Sequence, residues 1–234
     1  MKNLADGMAA ALIEQFENMR VSERFVETYN KARGVVKQVV VMPLTEREIR
    51  RIRFELLCFQ AFEICRCATR CFRKRFLFLS RLDRERFDAF VQEFVLSMQR
   101  EMESLGLCEH AEISHDGSAQ VVSGAVGHTE SALECITGYL DSRSVDAALD
   151  RLRIRVCMGG LSPIQPPQPD TTSAHEQASV TVGDVLPDEQ VRKYLPLEAG
   201  VHFVLDWLGP VFTNSIVTRV LDGKEGSHSG EPGG

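Results

Sequence analysis

The chain has 234 residues, 44% of them hydrophobic and 26% charged, with seven cysteines and a formal net charge of −6. That length fits one large or two small domains with a sizeable core, and no apolar run approaches the roughly 18 residues that a membrane-spanning helix requires. The first residues lack the basic start and apolar core of a secretory signal, and Glu14 and Glu17 oppose a transit peptide; an odd cysteine count without a compact framework argues against a disulfide scaffold and predicts free thiols in a reducing compartment, the cytoplasm, with the nucleus left open.

Met8, Leu12, Phe16 and Met19 recur at helical spacing, which predicts a helix over Leu4 to Arg33, with any break near Ser22 and its end at Gly34. Val35 to Val41 is β-branched and reads as a short strand or a buried connector ahead of Pro43. Thr45 and Glu48 stand at capping-box spacing, with Leu44 and Ile49 at staple positions across them, so a helix begins there. From Leu44 to Leu105 there is no Gly or Pro, although average usage is about 7% and 5%. Phe54, Cys58, Ala61, Cys65, Ala68, Phe72, Phe76 and Leu79 trace one apolar stripe, and Ile49, Ile52, Leu56 and Phe59 a second beside it. An arc that wide predicts a helix at the centre of a bundle or across a self-association interface. Ser80 or Asp83 caps the next helix, whose apolar face runs from Phe87 to Leu105 and which stops at Gly106; the two helices are expected to form an antiparallel hairpin.

Farther on, Asp116-Gly117 between short segments signals a small β-hairpin. Ser131 with Glu134, and then Ser144, start two short helices that end near Val156. Eight of the nine prolines follow residue 160, and Gly159 to Ser179 reads as a linker. Pro187 to Leu195 predicts a short helix stopped by Pro196, Val201 to Leu208 is apolar again, and the residues from Asp222 read as a disordered tail. The expected fold is therefore mainly α: a helical bundle over residues 1–158 with room for a small β-hairpin, a linker over 159–179, a short helical C-terminal docking segment over 180–221 and a tail over 222–234.

Charge is segregated. Glu46 to Arg86 holds twelve Lys/Arg against six Asp/Glu, so the remainder of the chain carries −12. On a continuous helix Arg66, Arg70, Arg73 and Lys74 share one face, and with Arg75, Arg81 and Arg84 they form the candidate interaction surface. Solvation or pairing within the chain is the plain reading of such a face; nucleic acid, and behind it an acidic membrane surface, are the functional ones. Tyr194, Phe203 and Trp207 in the C-terminal segment are candidates for docking on a protein partner or on the chain's own bundle.

Other constellations carry less. Cys58, Cys65, Cys67 and Cys71 lack the second knuckle of a zinc site and read as core thiols, although nearby arginines would lower the pKa of Cys67 or Cys71 were either partly exposed. Cys108, Glu109, His110, His115, Asp116 and His128 are zinc-ligand types in no zinc-module spacing, and a thiol- or metal-dependent enzyme on Cys108 to His128 is the second alternative. Gly124 and Gly127 lack the lysine of a phosphate loop. No catalytic residue, metal or cofactor is assigned. The expected function is a non-enzymatic helical adaptor or regulatory protein that binds a protein partner or itself, with nucleic-acid binding through the Arg66 to Arg86 face as the first alternative.

Overall fold

The computed structural model describes residues 1–35, 41–76, 79–108, 111–113, 119–121, 131–157 and 188–225, the backbone alone at 74–76, 79–80, 111–113, 119–121, 188–191, 210–211 and 222–225. The chain is mainly helical. Helices α1 (Lys2–Asn18), α2 (Val21–Val35) and α3 (Glu46–Ala68) are followed by a 3-10 turn (Thr69–Phe72) and strands β1 (Arg73–Phe76) and β2 (Leu79–Leu82). Helix α4 (Arg84–Ser104), strands β3 (Ala111–Ile113) and β4 (Ala119–Val121), and helices α5 (Ala132–Leu140), α6 (Val145–Cys157) and α7 (Asp188–Glu225) complete it.

Helix α3 is the axis of the bundle. Thr45 accepts from the Glu48 N–H while the Glu48 carboxylate accepts from the Thr45 N–H at 2.7 Å, so two of the donors left open at the helix start are satisfied. Sixteen of its 23 residues are buried, because α5, α6 and α7 pack along it and α1, α2 and α4 touch it as well. The wide apolar arc is thus covered by the chain's own helices rather than by a second copy.

The helix stops earlier than its apolar stripe suggests. Arg66, Arg70 and Lys74 would stand at successive i, i+4 positions, where like charges repel, and the aromatic, cationic stretch that follows suits a strand better. The chain tightens into the 3-10 turn and then forms an antiparallel ribbon, so Arg73, Lys74, Arg75 and Arg81 lie on strands and not on one helical face. The expected α3–α4 hairpin is replaced accordingly: α4 packs chiefly on α1. Its end is as expected, with Gly106 at φ 64 just past the last turn.

The first helix is two. The break falls at Arg20, which takes φ 54, and Gly34 lies inside the last turn of α2 without leaving helical geometry. Residues 36–40, on which the strand-or-connector question turns, lie outside the described residues. The Ser131–Glu134 capping box is present, the Ser144 hydroxyl accepts from the Ala147 N–H at 3.1 Å at the start of α6, and β3 pairs with β4 around the Asp116-Gly117 signal.

Pro196 does not stop the C-terminal helix; it sits buried within α7. The interruption comes at Gly209, with φ 44 and ψ −173. Pro210 drives the residue before it out of helical geometry, and glycine alone reaches the positive φ without penalty. Helix α7 packs on α1, α2, α3 and α6, so the segment read as a docking element docks on its own bundle. It also carries the helix through Asp222 to Glu225, the start of the expected tail; the 159–179 linker and residues 226–234 lie outside the described residues.

Candidate interaction surface: a basic β-ribbon

The β1–β2 ribbon stands on an aromatic base. Phe72, buried in the 3-10 turn, places its ring 5.1 Å from Phe90 and 5.7 Å from Phe87 of α4. The Asp83 N–H donates to the Phe72 carbonyl at 2.8 Å and closes the ribbon's foot. Above that foot the strands pair Arg73 with Leu82, Lys74 with Arg81, Arg75 with Ser80 and Phe76 with Leu79. Strand alternation therefore puts Arg73 and Arg75 on one face and the Lys74–Arg81 pair on the other. Two cations directly opposite each other across a ladder are destabilising. Strand β2 packs on the turn at the ribbon's base, and Leu82 reaches the core.

Arg70, Arg73, Arg81, Arg84 and Arg86 are exposed, and among the described residues none of them makes an ion pair. Arg66 differs. Its guanidinium meets the carboxylate of Glu63 at 2.7 Å, and that hydrogen bond raises the already high pKa of the arginine. It belongs to the internal electrostatics of α3. The structure thus gathers Arg70, Arg73, Arg81 and Arg84 around the ribbon, adds Arg86, sets Arg66 apart, and fixes Lys74 and Arg75 by backbone register.

No protein-family model, no curated protein and no solved structure matches the chain. Function has to be read from these residues.

Of the three docking candidates, Phe203 and Trp207 come together, their rings stacked 6.2 Å apart, with the Arg24 guanidinium 4.5 Å above the indole. Phe203 is 38% exposed and Trp207 half-buried. Tyr194 precedes Phe203 by nine residues, about half a turn around the helix at 3.6 residues per turn. It is half-buried on another side, where burial and then the charge of Glu198 raise its phenol pKa.

The thiols give no sign of activation. Burial drives Cys65 up to about 12, and Cys71, exposed beside the arginines, is also raised, by desolvation and then by Cys67, opposite to the direction an activated thiol requires. Cys108 is pushed up to about 11 by burial. The side chains of Glu109, His110, His115, Asp116 and His128 lie outside the described residues. Among the described residues no group of three or more His, Cys, Asp or Glu is placed to hold a metal ion, and no helix is long and apolar enough to cross a membrane.

A buried polar cluster escaped the sequence reading. The Glu55 carboxylate meets Arg155 twice at 2.7 Å, from Nε and from Nη2, and also accepts from the Tyr139 hydroxyl at 3.3 Å and the Cys135 thiol at 3.6 Å. Arg51 donates to the Arg155 and Val156 carbonyls at 2.6 and 3.0 Å, which satisfies acceptors at the C-terminal end of α6. These bonds lock α3 to α5 and α6 and give the cluster a structural role. Its signal was Glu55 itself, one of three polar residues between Phe54 and Cys65.

Proposed function

We propose that the chain is a non-enzymatic adaptor or regulatory protein: a helical bundle that holds a basic ribbon toward an acidic partner and carries a second, aromatic contact on α7. The observation that supports this reading is the group of five exposed arginines at the ribbon, unpaired among the described residues. A surface that served only to keep the chain in solution would gain by interspersing acids, and the chain has acids to spend, since it carries −12 outside Glu46 to Arg86. Self-association stays within the proposal, with Phe203 and Trp207 as its contact now that the arc of α3 is used internally. Retention on an immobilised polyanion tests the ribbon: R70E/R73E/R81E should elute at markedly lower salt than wild type, and equal retention counts against the reading. Sedimentation across a hundredfold concentration range tests self-association, which a single monomeric species throughout would exclude.

A further inference from the structure

We infer that the ribbon binds the phosphodiester backbone of a double-stranded nucleic acid, an inference that rests on the ribbon's being the interaction surface. The first reason is the choice of cation. From Arg70 to Arg86 there are six arginines and one lysine. Solvation is served as well by lysine, whereas the guanidinium fork matches a phosphate with two parallel hydrogen bonds.

The second reason is shape. A two-stranded antiparallel ribbon is one of the few elements that a major groove, about 12 Å wide in B-DNA, admits. Residues two apart on a strand advance about 6.6 Å, about twice the axial rise of roughly 3.4 Å per phosphate on one strand of a duplex. Arg73 and Arg75 have that separation on one face, and Lys74 opposite Arg81 occupies the other.

Third, the mount suits the task. The Phe72, Phe87 and Phe90 rings fix the ribbon's foot to α4, and the first turn of that helix brings Arg84 and Arg86 beside it. Asp83 and Glu85 are the only acids among the seven cations of Arg70 to Arg86, while the rest of the chain is strongly acidic. The net negative charge of the rest of the chain therefore favours approach of a nucleic acid at the ribbon.

The test is an anisotropy titration of the full chain with a labelled DNA duplex, the matching RNA duplex, polyglutamate, and phosphatidylserine vesicles as competitor. If five arginines each meet a phosphate, log affinity should fall against log salt with a slope of about −4.5, or about 500-fold between roughly 50 and 200 mM. R70Q/R73Q/R81Q should lower that slope by about 2.7. R70K/R73K/R81K should keep the slope and lose affinity, and K31Q/R143Q/R192Q, at exposed sites elsewhere, should change neither. Helical circular dichroism confirms that each variant is folded, and the wild-type slope needs no variant at all. Ribbon-dependent binding of polyglutamate or vesicles without duplex binding overturns the inference and leaves the interaction surface standing. Duplex binding that the control variant loses equally also overturns it. If wild type binds none of these anions, the inference and the proposed function fall together.

Discussion

Glu55 is a carboxylate only 1% exposed on the central helix, and what makes it tolerable is Arg155, itself buried and doubly bonded to it. Removing one partner of such a pair leaves the other charge stranded and costs about 3–5 kcal/mol, while replacing both with apolar residues of similar volume is often neutral. Glu55→Ala should therefore lower the free energy of chemical unfolding by about that amount, and Glu55→Leu combined with Arg155→Met should recover most of it. Glu48 predicts a pH effect. Partial burial opposes its ionisation, but hydrogen bonds from Lys193 and from Thr45 outweigh that and hold its pKa below the ordinary 4.5. Because the folded state favours the carboxylate, the α3–α7 tie contributes fully above about pH 4.5 and is lost as pH falls through the lower folded value. Glu48→Gln should flatten the acid limb of stability against pH, a change read from melting curves between neutral pH and about pH 3. At Gly200 an added Cβ would lie 2.8 Å from the ring of the fully buried Phe25. Gly200→Val should cost about 2–3 kcal/mol by overpacking, and Phe25→Leu should relieve part of that in a double-mutant cycle. Apart from Thr45 with Glu48, none of these partnerships could be read from the sequence, because residues about a hundred or more apart meet only when helices cross.

At the scale of elements, the features legible beforehand were those whose chemistry is local. Thr45 with Glu48, Ser131 with Glu134, and Gly106 past α4 each complete their bonds within a few residues, and the structure contains all three. The end of α3 was not legible, because the apolar spacing through Phe72, Phe76 and Leu79 continues unbroken past Ala68, where the helix stops. The kink in α7 was misplaced for the opposite reason: Pro196 looked like a terminator, yet only Gly209-Pro210 combines a proline with a residue free to take φ 44. The ribbon's foot makes its own prediction. Phe72→Ala deletes the ring that packs edge-on against Phe87 and tilted against Phe90 and should cost about 3–5 kcal/mol. It should also raise hydrogen exchange at the amides of Arg73 to Leu82 above that of α5 and α6, and equal protection of the two regions would show that the ribbon does not depend on that anchor.

For the molecule as a whole, composition and periodicity gave the mainly helical class and the central place of α3, since both follow from how much apolar surface each segment must hide. The candidate surface was visible as charge and missed as shape: six of the seven named cations lie on or beside a ribbon where a helix was expected. What the sequence left open was the destination of α7. That helix covers α2 and crosses back to α1, where Gln15 meets Ser215 at 3.2 Å and Glu14 meets Arg219 at 3.1 Å. The exposed ion pair contributes little; the apolar cover of Val201, Val204, Phe212 and Ile216 is what counts. A chain ending at Cys157 should bind a hydrophobic dye and melt without cooperativity. The same arrangement sets a timetable for synthesis. Gln15 and Ser215 are 200 residues apart, so at about 5–20 residues per second the ribosome delivers the cover for α1 and α2 some 10–40 s after making them. Through that interval the flank of the nascent N-terminal helices that α7 covers is left bare, a surface a chaperone would shield.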